Sequence, residues 1–169
     1  MTWDVVNIID PGPGDLTLEI TTDASLAPGG DRSRTGVVIA INGMIVCWQS
    51  TKQSITAISS CESEINATVT DVELGLTIRQ LIEDVTGIPL PTNLYGGNVA
   101  AIRSILTEVT SWRTRHYAMR ASWVRDILTK EEVELKHRKG TELVSDALTK
   151  TLDRVKLGEA RRRLGLIAC

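Results

Sequence analysis

Thr35-Gly36-Val37-Val38-Ile39-Ala40-Ile41-Asn42-Gly43-Met44-Ile45-Val46-Cys47-Trp48-Gln49-Ser50 reads as two strands folded about a two-residue turn. Residues 35–41 are β-branched and apolar enough for a buried strand, and 44–50 return as its antiparallel neighbour. Asn42-Gly43 between them is a strong hairpin signal, because type I′ turns need positive φ at both central positions. Towards the N-terminus, Leu16, Leu18 and Ile20 alternate with polar residues, so residues 16–23 read as a further strand that joins the hairpin in a meander across a Gly- and charge-rich loop. Residues 1–15 end in Pro11-Gly12-Pro13-Gly14-Asp15 and read as a lead-in segment closed by a turn. The domain is expected to span 16–169.

Towards the C-terminus, Ser59-Ser60-Cys61-Glu62 has the spacing of a capping box and opens a long helix, with Glu64 in or just past its first turn. Ile65, Val69, Val72 and Leu76 form one apolar stripe, and Leu74, Ile78, Leu81 and Val85 a second beside it, so a broad buried face is expected. Gly87 and Pro89 stop the helix. Residues 93–95 read as a short strand, and Asn98 as the cap of a helix through Ile102, Ile105 and Leu106. Residues 111–130 read as mainly helical, 133–136 as a fifth strand, 145–152 as helical, and 157–164 as a basic helical end. Pattern alone gives a mixed α/β domain.

A chain of 169 residues suffices for one well-buried core, and its 42% hydrophobic and 24% charged content is ordinary for a globular domain. No apolar run is long enough to cross a bilayer, and no signal-peptide pattern opens the chain. The three cysteines are an odd number without zinc-ligand spacing, which argues for a reducing compartment. A net charge of −2 gives no general attraction for nucleic acid. Basic residues do gather between Arg113 and Arg125, from Lys136 to Lys139, and at Arg161-Arg162-Arg163. These clusters fit a phosphate-facing surface or solvated helix faces equally.

Four blocks carry the chemistry: Thr21-Thr22-Asp23-Ala24-Ser25, Ser59-Ser60-Cys61-Glu62-Ser63-Glu64, Tyr95-Gly96-Gly97-Asn98, and Leu143-Val144-Ser145-Asp146-Ala147-Leu148-Thr149-Lys150. Trp48-Gln49-Ser50-Thr51-Lys52-Gln53, Arg113-Thr114-Arg115-His116 and Trp123-Val124-Arg125 stand between them in register. In order and spacing the chain resembles the ribonuclease H domain of copia-type LTR retrotransposon polyproteins, over roughly residues 18–166. The resemblance implies an α/β ribonuclease H-like fold: a mixed five-stranded sheet, three antiparallel strands first, flanked by helices.

It also implies metal-dependent hydrolysis of the RNA strand of RNA–DNA hybrids by two Mg²⁺ (or Mn²⁺) ions held by carboxylates. Asp23 matches the aspartate that bridges both ions, Glu64 a ligand on the leaving-group side, and Asp146 a ligand of the water-activating ion. Gly97 stands where the family has its remaining aspartate, and Val99 where it has a glutamine. A glycine offers no ligand, so activity is expected to be impaired. A catalytically inactive remnant that binds nucleic acid or a protein is the competing expectation. The implied partners are an RNA–DNA hybrid and the reverse transcriptase part of a polyprotein. The implied setting is intracellular, a cytoplasmic particle or the nucleus, with no membrane.

Several residues have two readings. Glu62 competes with Glu64 for the ligand role but also has the capping-box role. Asn98 is a neutral substitute ligand or a helix cap, and Gly96-Gly97 a turn or a phosphate cradle. His137, nine residues before Asp146, is a proton-transfer group or part of a solvated basic loop. His116 is expected to pack or face solvent. Cys61 is a thiol nucleophile or a small helix-start residue. Trp48, Lys52 and Gln53 contact a hybrid, or Trp48 lies in the core.

Overall fold

The computed structural model describes residues 16–27, 30–107 and 114–166. The lead-in segment 1–15, the boundary drawn after it, and residues 111–113 of the expected helix lie outside these. Five strands, β1 (Leu18–Ser25), β2 (Arg34–Ile41), β3 (Met44–Lys52), β4 (Thr92–Gly96) and β5 (Val133–His137), form one sheet in the order β3-β2-β1-β4-β5. β1, β2 and β3 pair antiparallel, whereas β4 and β5 run parallel to β1. The helices are α1 (Ser60–Thr86), α2 (Val99–Leu106), α3 (Arg115–Lys130) and α4 (Arg154–Arg163). This is the five-stranded mixed sheet with flanking helices that the resemblance implies.

The expected hairpin is present: Asn42 and Gly43 take φ of 47° and 81°, and the turn joins β2 to β3. At the start of α1, Ser59 Oγ accepts the Glu62 N–H at 3.1 Å. The reciprocal half of the capping box lands one residue early, on the Ile58 N–H, which the Glu62 carboxylate accepts at 2.8 Å. Gly87, at φ 69°, closes the helix as expected.

The core lies mainly between the sheet and α1, α2 and α3: Leu18, Ile20, Val37, Ile39, Ile65, Val72, Leu94, Ile105, Ala121 and Val124 are buried there. Gly75 sets the depth of α1. A Cβ at that position meets Ile20 Cδ1 at 2.1 Å, so the helix lies on β1 at a distance no larger residue permits. A mid-helix glycine costs roughly 1 kcal/mol relative to alanine, and here the cost is tied to close packing over β1. The expected second apolar stripe is only partly buried. Its last members, Leu81 and Val85, are 63% and 79% exposed, because the fully buried positions of α1 end at Gly75.

The expected helix over 145–152 is absent. Residues Val144–Leu148 form a short 3-10 segment, after another at Gly140–Glu142, and the chain through 149–153 is not helical. The Val144–Leu148 segment lies against β2 and is held from β3, where Ser50 Oγ donates to Leu148 O at 2.6 Å. Its last turn closes from the Thr149 N–H to Asp146 O, three residues apart. α4 begins at Arg154, earlier than the expected 157, because Asp153 caps it by accepting the Lys156 N–H at 2.9 Å.

Candidate active site

β1 and β4 are parallel neighbours at the centre of the sheet, and their C-terminal ends lie where the strand order reverses, a usual location for sites in open α/β sheets. Thr22 and Gly96 form the last registered pair, and Asp23 and Gly97 follow directly on each strand. The Val144–Leu148 segment reaches Asp23 by crossing β2 at Gly36, the registered partner of Asp23. A Cβ on Gly36 meets Thr149 Cγ2 at 2.8 Å, Leu148 Cβ at 2.9 Å and Ser145 O at 2.9 Å. Only a residue without a side chain lets this segment lie so close.

Three carboxylates from three elements gather here. Asp23 is 5% exposed and accepts a short hydrogen bond from the Thr149 hydroxyl. Burial raises its pKa; Thr149 and the Lys150 ammonium pull it down, and the charge of Asp146 raises it. Glu64 is pushed up to about 8, first by burial and then by the charge of Asp23. It therefore holds a proton at neutral pH and can donate a hydrogen bond. Asp146 pairs with Lys150, whose pKa is raised by that bond and by the charges of Asp23 and Glu64. One ammonium thus interacts with all three carboxylates.

Glu62 points elsewhere. Its carboxylate is buried against α3, 3.4 Å from His116 Nε2 and 3.5 Å from Arg120 Nη1, besides accepting the Ile58 N–H. His116 also stacks edge-on against Tyr117. The structure therefore brings Asp23, Glu64 and Asp146 together and separates Glu62 from them.

Chemically, three carboxylates are the hard oxygen donors that Mg²⁺ takes. Their arrangement is less suitable. Among the described residues, no three Asp, Glu, His or Cys side chains are grouped to hold a metal ion. The Lys150 ammonium stands among the carboxylates, and Leu143 Cδ1 lies 2.9 Å from where a Cβ on Gly97 would be. As they stand, these residues do not fit a two-ion centre.

Of the remaining candidates, Asn98, Cys61 and Gln53 are engaged within the fold. Asn98 caps α2, its Oδ1 accepting the Ala101 N–H at 3.1 Å. Cys61 Sγ lies 3.9 Å from Ser104 Oγ. Gln53 is buried, donating to Ser63 O at 2.8 Å and Thr35 Oγ1 at 3.1 Å, so the expected hybrid contact has no surface to act from. Trp48 is 48% exposed on β3, which takes it out of the core, and Lys52 pairs with Asp31 at 2.5 Å. His137 ends β5, exposed and in register with Gly96.

Much of the basic clusters is committed within the fold. Arg120 and Arg125 bond Asn66 and the Ile105 and Thr107 carbonyls. Arg138 pairs with Glu19 at 3.1 Å and lies 3.5 Å over the Tyr95 ring. Arg163 bonds the Thr141 carbonyl.

Sequence reading missed two positions. Gly36 lies inside an apolar strand run and gave no sign of its role. Asp71 is fully buried on α1, its Oδ2 accepting from Thr22 Oγ1 at 2.5 Å while its Oδ1 has no hydrogen-bond partner among the described residues. Burial pushes Asp71 up to about 8, and the charge of Asp23 adds to this against the Thr22 hydroxyl. Its seven-residue spacing from Glu64, two helical turns, was the available signal.

No family model matches the chain. Over 158 residues it is 27% identical to the retrovirus-related Pol polyprotein from transposon TNT 1-94 of Nicotiana tabacum, covering 92% of this chain and 12% of that polyprotein. Over 122 residues it is 25% identical to the transposon Ty1-DR5 Gag-Pol polyprotein of Saccharomyces cerevisiae, covering 72% of this chain and 7% of that one. The chain thus corresponds to a small fraction of these relatives' length. Among solved structures, LC11-RNase H1 in complex with RNA/DNA hybrid matches with a TM-score of 0.57 at 14% identity, over 78% of this chain and 93% of that one. RNase H1 from the archaeon Halobacterium salinarum matches with a TM-score of 0.57 at 17% identity, over the same shares. The chain is a ribonuclease H-fold homologue of copia-type retrotransposon polyproteins.

Proposed function

We propose that the chain is the ribonuclease H domain of a retroelement polyprotein, directed at the RNA strand of RNA–DNA hybrids, with hydrolysis strongly impaired. The convergence of Asp23, Glu64 and Asp146 at the end of β1 carries this reading. The hybrid-bound LC11-RNase H1 supports the substrate class, and the Pol and Gag-Pol relatives support a place beside a reverse transcriptase. Recognition would rest on duplex shape, 2′-hydroxyls and phosphates rather than base sequence. Asp23, Glu64 and Asp146 would hold Mg²⁺ or Mn²⁺ only with Lys150 displaced from Asp146. Impairment follows from Gly97, which leaves the site one carboxylate short of the family pattern.

A second reading, a non-catalytic domain that binds hybrid, is favoured by Leu143 standing beside Gly97 and by Lys150 pairing with Asp146 among the remaining carboxylates. Cleavage of a labelled hybrid in Mg²⁺ or Mn²⁺, with Asp23→Asn as the blank, separates the two. Activity lost in the blank supports the hydrolase. A folded protein that binds hybrid and cleaves no faster than the blank supports the second reading.

A further inference from the structure

Several members of the basic clusters that stand out in the sequence are engaged within the fold, whereas two arginines that do not stand out open onto a groove beside the carboxylates. This groove, about 570 Å³, runs between the β1–β2 end of the sheet and the chain after the 3-10 segment. Ser25, Arg32 and Arg34 line one wall, and Thr149, Lys150 and Thr151 the other. Asp31 also borders it, but its charge is taken by Lys52 at 2.5 Å. The lining therefore carries two arginines, Arg32 and Arg34, besides Lys150, which pairs with Asp146.

Its position follows from strand geometry. Ser25 is two residues beyond Asp23 on β1 and so on the same face, about 6.7 Å further along. Arg34 is the registered partner of Ser25, as Gly36 is of Asp23. The groove is thus the next step along the sheet from the candidate active site, and Thr149 borders it while its hydroxyl bonds Asp23.

The donors in it are largely uncommitted. Among the described residues, Arg34 Nη1 makes a long 3.4 Å bond to Ser50 Oγ, and Arg32 Nη1 a 3.5 Å bond to Ser54 O. Most of the five N–H donors of each guanidinium remain for a ligand. Ser25 Oγ is buried with no hydrogen-bond partner among the described residues. Planar guanidinium forks matched to an anion's oxygens are the usual means of gripping phosphate.

We propose that this groove seats a phosphodiester of the bound nucleic-acid strand, one step along from the phosphate at Asp23, with Arg34 and Arg32 as its grips. The proposal rests on the reading that the domain engages a nucleic-acid strand at Asp23. Arg34 and Arg32 are positioning residues, not catalytic ones. They fix the strand's register across the carboxylates without reading its sequence.

The test is binding of a labelled RNA–DNA hybrid by fluorescence anisotropy in EDTA, across a salt series, using the full chain. Arg34→Ala and Arg32→Ala should each weaken binding several-fold and lower the slope of log K against log salt by roughly 1. Arg34→Lys should keep the slope, and Arg162→Ala, at an exposed α4 position, should leave both affinity and slope unchanged. Far-UV circular dichroism checks the fold, and exposed Arg32 provides the decisive variant should Arg34→Ala fail to fold.

Parental affinity and slope in both alanine variants would overturn the groove, as would a parent that binds no nucleic acid. Hydrolysis is scored separately in Mn²⁺. Groove-dependent binding without cleavage leaves the groove standing and removes the hydrolase. Cleavage with groove-independent binding does the reverse.

Discussion

The Leu143 side chain fills the space into which a side chain at Gly97 would project: a Cβ there meets Leu143 Cδ1 at 2.9 Å, and Leu143 is 1% exposed. Gly97→Asp alone forces a buried leucine to move and should cost about 1–3 kcal/mol, the usual range for overpacking. Leu143→Ala alone should cost about 2–5 kcal/mol as a cavity. Together they should cost clearly less than the sum, because the new side chain occupies the space the old one leaves. Denaturant unfolding of both single variants and the double variant measures this coupling. Any gain in hybrid cleavage should appear in the double variant and be weak or absent in Gly97→Asp. Strict additivity would show that the two positions do not share one space.

Gly36 governs the placement of Asp146 and Thr149. Gly36→Ala puts a methyl group under 3 Å from Thr149 Cγ2, Leu148 Cβ and Ser145 O, and two of these three atoms belong to backbone or Cβ rather than to a mobile end. The segment should lift off β2 at a cost of about 1–3 kcal/mol. Thr149 then loses its bond to Asp23, so any hybrid cleavage should fall at least tenfold while far-UV circular dichroism stays near parental. Unchanged stability and activity would mean that the segment yields without displacing the site.

Asp71 should give the protein a stability that declines with pH. Its folded-state pKa, pushed up to about 8 by burial, lies above its ordinary value of 3.8. Between these two values the folded protein holds a proton that the unfolded chain has released. The contribution is therefore fully present below about 4 and is lost as pH rises towards 8. Glu64, also pushed up to about 8, acts in the same direction. Without divalent ions, chemical unfolding from pH 5 to 8 should show falling stability. Asp71→Asn should flatten part of that fall, and Asp71→Asn with Glu64→Gln more of it. A parental slope in Asp71→Asn would mean that Asp71 ionises normally.

How much was legible in the sequence depended on how local each signal was. Asn42-Gly43, Ser59 with Glu62, Gly87 and Asn98 act within a few residues of themselves, and the hairpin and helix ends they announced are where the sequence placed them. Over 145–152, tertiary contact determines the backbone: Ser50 holds Leu148 O, and Gly36 lets the segment lie flat. Helical periodicity carries no information about either. Block order singled out Asp23, Glu64 and Asp146 as candidates, whereas Leu143 beside Gly97, and Arg32 and Arg34 beside Lys150, became visible only once distant segments were placed together. Gln53 shows the opposite error, a polar residue assigned to the surface that spends its amide inside the fold.

Lys150 gives the sharpest test of how the carboxylates are balanced. Its ammonium pairs with Asp146 and also feels Asp23 and Glu64, so it stabilises the same charges a divalent ion would. Two unit charges about 4 Å apart interact by roughly 4 kcal/mol at an effective dielectric constant near 20, before solvent screening lowers the figure. Removing a competing cation of that strength should strengthen divalent binding. Lys150→Met keeps the length of the side chain without the charge. At pH 8, where Glu64 is about half ionised, it should bind Mn²⁺ at least several-fold more tightly than the parent by titration calorimetry. The gain should shrink in Lys150→Arg, which keeps the charge. Weaker Mn²⁺ binding in Lys150→Met would assign Lys150 the opposite role, that of holding Asp146 in place for the ion.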